Sequence, residues 1–227
     1  MSKHIVFYIL MFITTSFWAQ MHEVGFFIGG GNYIGDIGNE TYINPNQLGG
    51  GILYKRNINT RIALRAAFTR LSLSANDADS ENAIRQLRNY SFTNTINELG
   101  IGMEFNYFNY DITYSEESHT PYLLFEIVAF NYNVVSAEVS PNNYEYKSKT
   151  SFAIPIGIGY KAKLFDKFAV AAEIKARYTF VDNLDYNNSS IQRLKFGNPD
   201  SNDWYVFSGV SLVYSFGRPS CYIPPTY

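Results

Sequence analysis

Residues 168–180 read FAVAAEIKARYTF. Val170, Ala172, Ile174, Ala176 and Tyr178 fall on one parity, and Ala171, Glu173, Lys175, Arg177 and Thr179 on the other. Period-two alternation marks a strand with two unlike faces. One face here is apolar. The other mixes small residues with long charged ones, which suits a narrow interior where ionic side chains need room and partners. A water-exposed face has no use for the small residues. The stretch therefore reads as one stave of a membrane barrel, apolar toward lipid and polar toward the lumen.

Seven more segments show the same alternation: 23–30, 48–56, 61–73, 92–107, 122–133, 152–161 and 204–216. In 61–73, Ile62, Leu64, Ala66 and Phe68 oppose Arg61, Ala63, Arg65, Ala67 and Thr69. In 92–107, Leu99, Ile101, Met103 and Phe105 oppose Glu98, Gly100, Gly102 and Glu104. Aromatic residues cluster near the ends of the apolar stripes, as at Phe152 and Tyr160 or Trp204 and Phe216, like the girdles of a membrane barrel. Segment lengths approach the 9–11 residues of a spanning strand. An open sheet edge is not tolerated in lipid, so the sheet must close. The predicted fold is all-β: a closed antiparallel transmembrane β-barrel of about eight strands. A soluble lipocalin-like barrel would turn the same apolar stripe inward. Short links at 57–60 and 164–167 and long ones at 32–47, 74–91, 134–151 and 181–203 give the usual asymmetry, with both termini expected in the periplasm. The link 108–121 is intermediate, and 79–87 suggests a short helix within a loop. Eight strands leave an interior that side chains fill, so a plugged barrel is expected.

The N-terminus carries Lys3 and His4 ahead of an apolar run at 5–17, then Ala19 and Gln20. That is the form of a secretory signal peptide. The expected organisation is a signal peptide over 1–20, an outer-membrane barrel over 21–216 and a periplasmic tail over 217–227. Aromatics are 17% of the chain, with 19 Tyr and 18 Phe, a bias that fits the girdles. Without Lys3 the balance is 17 basic against 20 acidic residues, which excludes a strongly basic nucleic-acid surface. No small-molecule substrate or cofactor is implied.

The inward parity carries Arg61, Arg65, Glu98, Glu104, Glu126, Lys161, Glu173, Lys175 and Arg177, expected to form an ion-pair network, since buried charges must be paired. A gated ion path is the alternative. No catalytic residue is assigned. His4 lies in the signal, and His22 and His119 lie at the periplasmic side, away from an outer rim where lipid chemistry would occur. Asp182 and Asp185 in the last long loop are too few for a metal site, and a solvated loop is expected there. The single cysteine, Cys221, follows the last strand in a tail with Pro219, Pro224 and Pro225. An odd Cys in an exported chain points to a bond with another chain or to a free thiol.

Several blocks resemble a known family. They are 25–38 (GFFIGGGNYIGDIG), 42–46 (YINPN), 97–107 (NELGIGMEFNY), 176–184 (ARYTFVDNL), 194–209 (LKFGNPDSNDWYVFSG) and 215–221 (SFGRPSC). In order, they resemble the PorG-type outer-membrane barrel proteins of the type IX secretion machinery. The resemblance implies a non-enzymatic scaffold that ties a periplasmic ring lipoprotein and its partner to the outer membrane. It also implies that Cys221, at the family's tail Cys, bonds the ring lipoprotein. The alternative is a general small OmpA-like barrel with a structural or surface role.

Overall fold

The computed structural model describes residues 21–39, 41–112, 118–141, 143–197 and 201–217. The expected signal peptide and Cys221 lie outside them. Eight strands form in chain order: β1 (Met21–Ile34), β2 (Gln47–Asn57), β3 (Ile62–Asn76), β4 (Ser91–Asn106), β5 (His119–Ser140), β6 (Asn143–Phe165), β7 (Phe168–Thr179) and β8 (Trp204–Gly217). Each pairs antiparallel with its neighbours, and β8 pairs with β1 to close the barrel.

The registers fix its shape. A path of paired residues leaves β1 at His22 and passes Arg56, Leu64, Met103, Phe125, Ile156, Ala176 and Val206. It re-enters β1 at Asn32, ten residues further on. For eight strands about 4.8 Å apart rising about 3.3 Å per residue, that stagger tilts them about 40° from the barrel axis.

Alternation sorts the side chains. Phe26, Ile28, Ile52, Leu99, Ile101, Leu123, Ile127, Ile156, Ile158 and Val210 point outward and are exposed. Rings edge this belt at both ends. Tyr178 stands 4.9 Å from Trp204 and 5.3 Å from Phe180 at one end, and Phe168 stands 5.2 Å from Tyr214 at the other. The interior carries the charges. Small residues there make room for large ones: a Cβ at Gly159 would lie 2.3 Å from the Tyr122 ring, so the missing side chain is what lets that ring lie against the wall. Pro155 has no N–H to give, and the β5–β6 ladder is interrupted beside it, between Phe125–Ile156 and Val128–Ala153.

Both termini of the described barrel and the tight turns lie at one end. Asp166, with φ of 21°, and Lys167 make the β6–β7 turn there. At the other end the connections are long. The stretch 134–151, expected as a loop, is instead mostly strand, since β5 and β6 continue as a hairpin to a turn at Pro141. Both its faces are largely exposed, so it lacks the apolar alternation that betrays a half-buried strand, and ladder pairing such as Tyr132–Lys149 holds it. In the β3–β4 connection, a 3-10 turn (Asp77–Asp79) precedes a short helix, α1 (Ala83–Arg88). The Asn82 side chain accepts from the Ile84 N–H at its start, and Asn89 ends it in the left-handed region.

Candidate functional site: the filled lumen and its two mouths

The barrel wall projects ten charged side chains inward, each almost fully buried. They are Glu23, Glu98, Glu104, Glu126 and Glu173 against Lys55, Arg65, Lys161, Lys175 and Arg177. Five carboxylates face five cations, so the interior is neutral as built. Glu104 is one hub, 2.7 Å from Lys55, 3.0 Å from Lys161 and 3.2 Å from Arg65. Arg65 is a second. It grips Glu173 through both Nη atoms, at 2.7 and 3.0 Å, and sets Nε 3.4 Å from Glu126. Lys175 bridges Glu173 and Glu126 at 3.2 and 3.5 Å. Arg177 pairs with Glu98 at 3.0 Å, and its plane lies over the rings of Tyr205 and Phe207. Phenols complete the set: Tyr122 donates to Glu173 and Tyr205 to Glu98. A buried charge stripped of its partner is costly, and here each carboxylate but Glu23 lies within 3.5 Å of a cation. Glu23 accepts from the Asn57 side chain at 2.8 Å.

Eight of the nine residues expected in this network are interior. The exception is Arg61, which is exposed. It lies in the turn before β3, where strand parity no longer applies, and donates to Asn109 and to the Tyr107 carbonyl. Sequence reading also missed Glu23 and Lys55, which are direct cross-strand partners. The β2 sequence LGGGILYKR gives no clear polar face, and Lys55 comes opposite Arg65 only because five residues, 58–62, separate the first paired positions Asn57 and Ala63.

Both mouths are stopped. At the short-turn end, Tyr110 and Ile112 of the β4–β5 link fold inward onto Phe27, Leu53, Ala67, Ala169, Phe207 and Val213. Lys161 sits 4.6 Å above the Tyr110 ring. At the long-loop end, Leu184, Ile191 and Leu194 of the β7–β8 loop and Ile37 of the β1–β2 loop pack on Leu71, Phe92, Ile96, Phe130 and Tyr132. Asn94 ties that plug to the wall by donating to the carbonyls of Leu184 and Asn133, both at 2.8 Å.

A polar node lies beneath this plug. The Tyr33 hydroxyl is 2.5 Å from Asp203 and 3.0 Å from Asp185, and both carboxyls are buried. The expectation of a solvated loop around Asp185 is thus corrected: the loop folds into the mouth because its apolar residues find a core there. Asp182 is half-buried, and burial, with Asp36 nearby, pushes its carboxyl up to about 6. Asp77 behaves oppositely. Burial works against its charge, but bonds from Arg88 and from the N–H groups of Tyr90 and Gly38 outweigh this and hold its carboxyl low.

Among the described residues no group of three metal-ligating side chains converges. His22 and His119, both at the short-turn end, place Nδ1 2.7 Å from the hydroxyls of Tyr54 and Tyr160.

This chain is similar to several solved structures, of which the first shares its fold. Neisserial surface protein A superposes with a TM-score of 0.52 at 11% identity, covering 86% of this chain and 97% of that one. The N-terminal β-barrel domain of Pseudomonas aeruginosa OprF gives 0.46 at 10% identity, covering 88% and 98%. The attachment invasion locus protein Ail of Yersinia pestis gives 0.41 at 13% identity, covering 88% and 99%. No curated protein matches the sequence. A family model matches residues 2–225, nearly the whole chain, and this protein is a member of the family described as a domain of unknown function, DUF6089.

Proposed function

We propose that this chain is a non-enzymatic outer-membrane barrel with a structural and surface role, and that its lumen passes no solute. The observation that carries the reading is the filled interior: five buried carboxylates and five buried cations, four of the carboxylates in direct ion pairs, stoppered at both mouths by apolar side chains. A porin-type barrel keeps a water-filled channel. The exposed apolar belt with aromatic edges supports a setting in lipid. Short turns and both ends of the described barrel at one side, and long loops at the other, support termini in the periplasm and loops outside. Purified protein in a planar lipid bilayer is expected to give no conductance steps at neutral pH. Steady openings of uniform size would overturn the closed-lumen reading.

A second reading, a type IX secretion scaffold, is favoured by the sequence blocks ending in SFGRPSC at 215–221. In it, Cys221 bonds a periplasmic ring lipoprotein, with outer-membrane lipid and other secretion components as further partners. Non-reducing gels of detergent-solubilised membrane are expected to show a reducible higher band in the wild type that is absent from Cys221→Ser. A monomer band alone in both, with no lipoprotein co-purified, removes this reading and leaves the first intact.

A further inference from the structure

We infer that the long-loop mouth is latched by a proton shared between Asp185 and Asp203 through the Tyr33 hydroxyl, so that the plug loosens as that proton is withdrawn. The latch joins β1, which carries Tyr33, to the β7–β8 loop, which carries both carboxyls. Asp203 also accepts from the Leu184 N–H at 2.9 Å, and Asp185 from the Asn187 N–H at 3.0 Å. Each carboxyl thus holds the plug's backbone with one oxygen and turns the other to the same phenol. The Tyr33 oxygen already accepts from the Asp36 N–H at 3.2 Å.

Proton counting gives the rest. One hydroxyl has one proton and cannot donate to two carboxylates at once. With both ionised, an oxygen of one faces the phenol oxygen with no proton between, in a place without water access. One added proton resolves this. Asp185 donates to the Tyr33 oxygen, Tyr33 donates to Asp203, and every contact at the node becomes a hydrogen bond.

The surroundings do not neutralise the pair. Asp36 and Asp182 add negative charge from the β1–β2 and β7–β8 loops. From the β3–β4 connection, Arg88 attracts Asp185 through space but gives its bonds to Asp77 and the Asp36 carbonyl, and Arg85 bonds the carbonyls of Gly35 and Gly38. Tyr90 and Tyr186 offer phenols, Lys149 and Lys195 line the outer cleft beside Asp182, and Arg177 below is held by Glu98. Burial pushes both carboxyls above the ordinary carboxylate range, and Asp185 adds to the rise at Asp203. The closed mouth therefore binds more protons than an open loop. Closure is strongest below the ordinary carboxylate pKa, falls as pH rises through the raised values, and levels off above them.

The test is amide hydrogen exchange of the full chain in detergent micelles from pH 5 to 9, corrected for the intrinsic rate. Protection at Leu184 and Asn187 is expected to fall about tenfold or more across the range, the change that one unit of pKa separation gives. Strand amides of β4 are expected to stay level. In Asp203→Asn the amide keeps the Leu184 bond through its oxygen and donates to Tyr33 through its nitrogen, so the decline should vanish, and likewise in Asp185→Asn. Level protection at Leu184 and Asn187 in the wild type overturns the latch, as does a decline shared by β4 or one retained in both variants. If neither variant folds, the wild-type comparison of loop with strand amides still decides.

Discussion

Replacing Glu104 with leucine destabilises the folded barrel by about 3–5 kcal/mol, the cost of stranding buried charges. Glu104 lies against Lys55, Lys161 and Arg65, and of the three only Arg65 also forms close ion pairs with other carboxylates, Glu126 and Glu173. The substitution leaves two buried ammonium groups without the carboxylate they pair with. The measurement is urea unfolding in detergent or lipid vesicles. Adding Lys161→Met should restore part of the loss, because the interior is then nearer neutrality. A loss below about 1 kcal/mol, the range of an exposed ion pair, would show that water reaches the lumen.

Replacing Ile101 with arginine has the next largest effect, about 2–4 kcal/mol if the residue stands at mid-bilayer. Ile101 is 65% exposed, midway along the outward face of β4, between Leu99 and Met103. In water an exposed isoleucine tolerates this change. In lipid the guanidinium must be dragged into hydrocarbon or the bilayer thinned around it. Unfolding in vesicles, with Ile101→Ala as the control for lost apolar area, separates the two settings. A stability equal to that of Ile101→Ala would argue that the belt faces something other than lipid.

The barrel was legible because its main signal is local. In β7, Glu173, Lys175 and Arg177 announce an interior face within five residues, and Arg65 of β3 and Glu98 and Glu104 of β4 repeat the lesson. What stayed hidden depends on pairing. Lys55 is inward because the register opposes it to Arg65 and Glu23, not because of its flanking glycines and tyrosine. The hairpin beyond Asn133 is strand through its ladder, while its side chains look like loop. The Tyr33 node joins residues 152 and 170 positions apart, and no spacing rule links them. Arg61 shows the reverse error: parity was extended one residue ahead of the start of β3, into a turn that leaves its side chain exposed.

The ten-residue stagger has a consequence in time as well as in shape. Closure requires His22 to meet Phe216, so the first strand made must wait for the last. Hairpins can pair as soon as they exist, but the seam joins the two extremes of the chain, and such distant pairing is slow. Until it forms, the sheet carries two bare margins, β1 and β8, each with unpaired backbone groups able to template on any neighbouring strand. A one-residue slip at that seam would turn the inward side chains of β8, Tyr205, Ser211 and Ser215 among them, toward lipid. Delivery to the membrane thus has to keep both margins covered and hold the register until Gly217 lies beside Met21.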